Sequence, residues 1–312
     1  MYFENIMGQN LPKRYMANAI RNNKISHAYI FEGGEGIGKK AFARELAKIL
    51  MKNKNLSNSP DYIEIEPSGS SIKIAQIRNL QSDIIIKPHG DYKIYTILNS
   101  EKMTVEAQNA LLKTLEEPPK YAIIILVANN KEALLDTIKS RCEILKFTPI
   151  PEVEINKFLQ MKGMDNQKSS IMASFSRGSI DKAEELSNSA EFLLMREDVQ
   201  NYIETILERD LFEILSLQVM MEKYKPEIYS VLDMMINYFR DIMLIKENVD
   251  KSKIINGDKI IFIQNINKKI SYSQISRIID IIEDIKRKIK SNCNFNISMQ
   301  VMALNIYEVI KW

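Results

Sequence analysis

The stretch Ala28-Tyr29-Ile30-Phe31-Glu32-Gly33-Gly34-Glu35-Gly36-Ile37-Gly38-Lys39-Lys40 decides how the chain is read. Its opening apolar run has the length and composition of a buried strand, and from Lys39 onward apolar residues recur at helical spacing. A strand, a glycine-rich turn and a helix in that order make a phosphate-binding loop: glycines let backbone N–H groups wrap an anion at a helix N-terminus, and Lys39 stands where the phosphate-contacting lysine belongs. Position 40 breaks the pattern. A Ser or Thr hydroxyl there would ligate Mg²⁺, whereas Lys40 is a cation with no acceptor to offer. Gly33, Gly36, Gly38, Lys39 and Lys40 therefore form a degenerate loop, readable as an empty relic, a weak nucleotide site or a structural turn.

Outward from this loop, Tyr62–Glu66, Lys93–Leu98, Ala122–Val127 and Glu143–Phe147 read as further strands. Lys39–Lys52, Ile72–Ile86 and Thr104–Leu115 read as the helices between them, with Thr104 as an N-cap. Strands alternating with helices predict an α/β domain built on a parallel sheet over residues 1–149. Thr148-Pro149-Ile150-Pro151 is a rigid break, and beyond it the patterns are helical: Pro151–Met161, Gln167–Phe175, Ile180–Leu186, Ala190–Glu208, Pro226–Asn248, Tyr272–Ser291 and Ser298–Ile310. An all-α domain over 150–206 and a second all-α domain over 207–312 are expected. The methionine pairs Met220-Met221 and Met234-Met235 read as core or contact surface.

The 312 residues carry 43 Lys and Arg against 40 Asp and Glu, a net charge of +3, so the surface as a whole is not a nucleic-acid glove. No run approaches the ~18 apolar residues of a membrane span, and the N-terminus lacks the apolar core of a signal peptide, which leaves a cytoplasmic protein with no membrane partner as the expectation. Cys142 and Cys293 lie in no metal-ligand spacing, so neither zinc nor any other metal is expected. His27 reads as a capping or packing residue and His89 as a loop residue.

Two more sites bear on chemistry. An active nucleotide hydrolase ends a neighbouring strand on two carboxylates, one for Mg²⁺ and one for the attacking water. Here the matching strand ends on Leu98 and Asn99; Glu101, further along, reads as a solvated loop carboxylate. The tripeptide Ser140-Arg141-Cys142 places an arginine just before the last strand. On its own this is a surface arginine paired with a nearby carboxylate; at the edge of a nucleotide-binding domain it can instead reach the γ-phosphate of an adjacent subunit.

Ser26–Gly33, the Ser59-Pro60-Asp61 turn, Asn109-Ala110-Leu111-Leu112-Lys113-Thr114-Leu115-Glu116-Glu117-Pro118-Pro119 and Ser140-Arg141-Cys142 together resemble the clamp-loader subunits of bacterial DNA polymerase III, of the silent delta-prime type. The likeness runs over essentially the whole chain. It implies an AAA+ nucleotide-binding-like domain, a helical lid and a helical collar that assembles subunits. It also implies an arginine finger at Arg141 acting in trans, no intrinsic ATPase and no required cofactor. The implied partners are the ATPase subunits and a delta subunit in a hetero-pentamer, a sliding clamp and primer-template DNA. Asn129 and Asn130 fall where such proteins place a polar phosphate sensor. The sequence departs from relatives in lacking a four-cysteine zinc module before the Pro-Asp turn and in carrying Asp181 where a lid arginine would stand. Two other readings stay open: a self-sufficient ATPase that uses Glu101, and a DNA-binding module using Lys286-Arg287-Lys288 and Lys290.

Overall fold

The computed structural model describes residues 2–53, 55–56, 59–208, 218–247, 249 and 253–311. Asn248 and Trp312, and the side chain of Met220, lie outside the described residues. Two compact units emerge, one of residues 1–164 and 172–185, the other of 165–171 and 186–312.

The first unit holds a five-stranded parallel sheet of β1 (Ala28–Glu32), β2 (Tyr62–Ile65), β3 (Lys93–Ile97), β4 (Ala122–Ala128) and β5 (Glu143–Lys146), ordered β2-β3-β4-β1-β5. All five strands stand where the alternation of apolar runs puts them, within a residue at each end. β4 is buried along its whole length, as a strand covered on both faces must be. Because side chains alternate across a sheet, Tyr29, Phe31, Ile123 and Ile125 enter one core and Ile30, Ile124 and Leu126 enter the other. Phe42 and Leu46 of α2 (Lys39–Met51) fill the first, where Phe42 stacks on Phe3 at 4.5 Å and meets Phe31 and Phe147 edge-on. Ile77 and Leu80 of α3 (Ile74–Asp83), with Leu111 and Leu115 of α4 (Val105–Glu116), fill the second. Thr104 caps α4 as expected, its hydroxyl accepting the Ala107 N–H. The α3 helix starts two residues later than its pattern because the Ile72 N–H donates to Lys102 O at 2.9 Å and its carbonyl accepts from Thr104, which holds Ile72 extended.

Several elements escaped the sequence pattern. They include α1 (Asn10–Arg21) and a single turn, α5 (Asp136–Lys139), before the Ser-Arg-Cys tripeptide. Beyond the sheet lie α6 (Glu152–Met161), α7 (Asn166–Phe175) and α8 (Ile180–Ser187). The compact units do not part at 149 and 206. The Ile150 N–H donates to Gly178 O at 2.9 Å and the Ile180 N–H to Gly36 O at 2.9 Å, which bonds the start of α8 to the β1–α2 loop, and the first unit takes in both α6 and α8.

The second unit is helical: α9 (Ala190–Glu208), α10 (Gln218–Lys223), α11 (Ile228–Lys246), α12 (Ile260–Asn267), α13 (Tyr272–Lys290) and α14 (Phe295–Lys311). The α11 helix packs on α9, α12 and α13, and Met221, Met234 and Met235 are fully buried, as core methionines. A buried polar cluster fixes residues 255–258. Asp241, with no exposure, accepts N–H groups from Ile255 (3.1 Å) and Asn256 (2.8 Å) and the Asn256 side-chain amide (2.9 Å). Arg196 of α9 donates to Asn256 Oδ1 (2.9 Å) and to both oxygens of Asp258. Among the described residues no helix is long and apolar enough to cross a membrane.

Candidate functional site

The loop 33–38 links β1 to α2 and floors a cleft of about 740 Å³. Its path needs glycine. At Gly33 (φ 151°) a Cβ would lie 2.6 Å from Phe147 O, and at Gly36 (φ 70°) it would overlap Ser179 Oγ. Ser179 sits at the start of α8, whose first N–H groups, from Ile180 and Asp181, point at Gly36 O. The start of α8 thus latches the loop from above and brings Asp181 to the cleft.

Lys39 is 5 % exposed and turned inward. Its ammonium donates to Gly33 O at 2.6 Å, to Gly34 O, and to Asn129 Oδ1 at 2.9 Å. Burial pulls its pKa below the usual lysine range, against the opposing pull of Glu101, Glu35 and Asp181. Of the two asparagines, Asn129 reaches the loop; Asn130 instead caps the next turn by accepting the Glu132 N–H. Lys40 does not stand as a bare cation. It pairs with Glu66 at 2.8 Å and lies 3.7 Å from Glu64, while Arg44, one turn on, grips Glu64 with two bonds of 2.6 and 2.7 Å. Burial pushes the Glu64 carboxyl up, but hydrogen bonds from Arg44 and Tyr62 outweigh it and hold the group below the usual carboxylate range. These acids from the end of β2 offset the positive charges at the start of α2, which follows the loop, and periodicity gave no hint of them.

Leu98 and Asn99 follow β3, as the sequence has them. Leu98 is 5 % exposed and belongs to the core; Asn99 takes a left-handed backbone. Glu101 is not the solvated carboxylate expected, because its Oε2 accepts the Asn129 N–H at 3.2 Å and so braces the residue that holds Lys39. Asp181 lines the same cleft; burial and the nearby Glu184 and Glu35 raise its pKa, against Lys39 and Lys40. Gln9, buried and outside every motif, stitches the loop to the sheet: its amide donates to Ile37 O (3.0 Å) and Thr148 O (2.8 Å) and its carbonyl accepts the Thr148 N–H.

Residues 8–151 match the family described as DNA polymerase III, delta subunit, and residues 191–306 match its C-terminal region. The chain belongs to the bacterial DNA polymerase III clamp-loader family. It is 29% identical to DNA polymerase III subunit delta' of Bacillus subtilis (strain 168) over 316 residues, covering 95% of each chain. Against the tau subunit of the same organism it is 26% identical over 345 residues, with 97% of this chain and 61% of that protein covered. A Thermotoga maritima RuvB Holliday junction branch migration motor shares the fold, with a TM-score of 0.50 at 12% identity, over 99% of this chain and 88% of that one.

The remaining motifs of this clamp-loader subunit lie away from the cleft. Arg141 does not line it. The guanidinium follows α5, donates to Thr137 O at 2.9 Å and pairs with Glu116 Oε1 at 2.6 Å. Ser140 Oγ donates to Thr137 O at 3.0 Å, and Cys142 is half-buried, its thiol pushed up to about 12 by burial. Asp61 of the Pro-Asp turn accepts the N–H groups of His89 and Gly90, which gives His89 its place in the loop. The basic run of α13 is paired within its own unit: Lys286 with Asp233 and Glu283, and Arg287 and Lys288 with Asp284.

Proposed function

We propose that this chain is the delta-prime-type, non-hydrolysing subunit of a DNA polymerase III clamp loader, and that it donates Arg141 to the ATP site of a neighbouring ATPase subunit. The observation that carries this reading is the make-up of the cleft: Leu98 and Asn99 close β3 where two carboxylates would be needed, and Lys40 is paired with Glu66 where a hydroxyl would ligate Mg²⁺. Phosphoryl transfer requires the metal to neutralise developing charge and a group to orient the water. Neither requirement is met by these side chains. Lys39 is already bonded to the loop it would have to leave.

Arg141 supports the other half of the reading, because it stands on the surface after a short helix and outside the chain's own cleft. A guanidinium brought to a γ-phosphate in trans stabilises the charge on its equatorial oxygens. In this reading residues 150–206 act as the lid and 207–312 as the collar. The chain works in the cytoplasm in a hetero-pentamer with ATPase and delta subunits, helping to open a sliding clamp on primed DNA. It needs no zinc and no nucleotide of its own.

The test is steady-state ATP hydrolysis by the reconstituted cognate complex, with clamp and primed DNA, containing either the wild-type chain or Arg141→Ala, alongside the chain alone. The isolated chain is expected to be inactive, and the substitution to slow the complex with assembly intact. Turnover by the chain alone, or an unchanged rate with Arg141→Ala, overturns the proposal.

A further inference from the structure

Arg141 has three acceptors, its neighbour Ser140 Oγ at 3.4 Å and two on rigid elements, and one of those two is a carboxylate that helix physics disfavours where it sits. Glu116 ends α4 and Glu117 caps it, so two negative charges crowd the negative end of the helix macrodipole. Helix stability does not explain a carboxylate there; its bond to Arg141 Nη2 at 2.6 Å does. Thr137 O holds Nη1 at 2.9 Å from the other side.

Both supports are fixed. Leu115, beside Glu116, and Ile138, next to Thr137, share one core, 2 % and 0 % exposed. Buried Gln108 of α4 ties the two elements together, donating to Ala133 O at 3.2 Å and accepting the Leu135 N–H at 2.8 Å. A guanidinium carries five N–H donors, so Arg141 can keep its bonds to Thr137, Ser140 and Glu116 and still present N–H groups to a phosphate. A long side chain held in one rotamer beforehand loses less conformational entropy when it docks.

We infer that Glu116 is a positioning residue for the arginine finger: with Thr137 O it aims the Arg141 guanidinium before the neighbouring ATP site closes on it. The inference rests on the proposal that Arg141 acts in trans. Glu116 itself touches no phosphate; its carboxylate sets the direction of the guanidinium, and α4 and α5 set the direction of the carboxylate.

The experiment compares the reconstituted complex carrying wild-type chain, Glu116→Ala, Glu116→Gln, Arg141→Ala and the double variant E116A/R141A, reading kcat and KM for ATP and the melting temperature of each chain. The pair is half exposed, so Glu116→Ala should lower kcat by about two- to fivefold, the range expected of such pairs. KM should change little. Glu116→Gln keeps an acceptor at the same place and should restore kcat to within about twofold of wild type. Glu116→Ala should add nothing on top of Arg141→Ala, because its effect passes through the guanidinium. A faster complex with Glu116→Ala would make the carboxylate a competitor of phosphate, and would overturn the inference. So would an unchanged kcat with a lowered melting temperature, a failure of Gln to rescue, or an additive loss in the double variant. If Arg141→Ala has no effect, the finger itself is refuted, an outcome distinct from a slow Arg141→Ala complex beside a normal Glu116→Ala one.

Discussion

Replacing Lys39 with Met removes a buried ammonium from three acceptors, Gly33 O, Gly34 O and Asn129 Oδ1, while keeping the stem that packs at the start of α2. A hydrogen bond to a charged group contributes about 1.5–3 kcal/mol, and each acceptor left bare in a buried place adds a penalty of similar size. The cost of drying the ammonium offsets much of this, as its lowered pKa records. The balance is a loss of about 2 kcal/mol, dominated by the orphaned acceptors. For a unit of this size that lowers the melting temperature by about 4–8 °C, readable by scanning calorimetry of the full chain without any ligand. A pH series adds a second check. The folded-state pKa is below the unfolded one, so the unfolded chain binds the proton more tightly. The wild type should therefore gain stability over Lys39→Met as pH rises from the lowered value toward the ordinary lysine value, and show no such gain below that window. A lysine that merely waits for phosphate would be dispensable in the empty protein. An unchanged or higher melting temperature for Lys39→Met refutes the reasoning.

Two further predictions concern the rest of the molecule. Arg196→Met strands Asp258 and Asn256 in the helical unit and should cost about 2–4 kcal/mol, seen as a lower urea midpoint with an unchanged slope; a loss below ~1 kcal/mol would show the cluster to be dispensable. With its thiol pushed up to about 12 from an ordinary 9.0, Cys142 carries on the order of a thousandfold less thiolate than a normal cysteine. Native chain at pH 8 should therefore titrate one thiol promptly with a disulfide reagent, exposed Cys293, and the second only after unfolding; two prompt thiols would contradict the burial of Cys142.

The strands and most helices follow from local pattern. Runs such as Ala122–Ala128 are apolar without interruption because both faces are covered, and Thr104 announces α4 by its hydroxyl. Part of what local pattern misjudged was set from a distance, since Ile72 is extended because Lys102 and Thr104 bond it; α5, by contrast, is too short to show a period. The compact units, too, ignore the Pro-rich break, since hydrogen bonds from Ile150 and Ile180 tie later helices back to the sheet unit.

The sequence by itself determined which side chains are on offer: a lysine at position 40, leucine and asparagine after β3, aspartate at 181. Those are matters of residue type, and no fold can turn Leu98 into a carboxylate. Tertiary structure alone decided what the remaining side chains do. Lys40 meets Glu66 across 26 positions, Lys39 meets Asn129 across 90, and Arg141 meets Glu116 across 25. Such pairs depend on the order β2-β3-β4-β1-β5, which lays distant strand ends side by side. Periodicity reports only which face a residue presents, not which residue comes to face it.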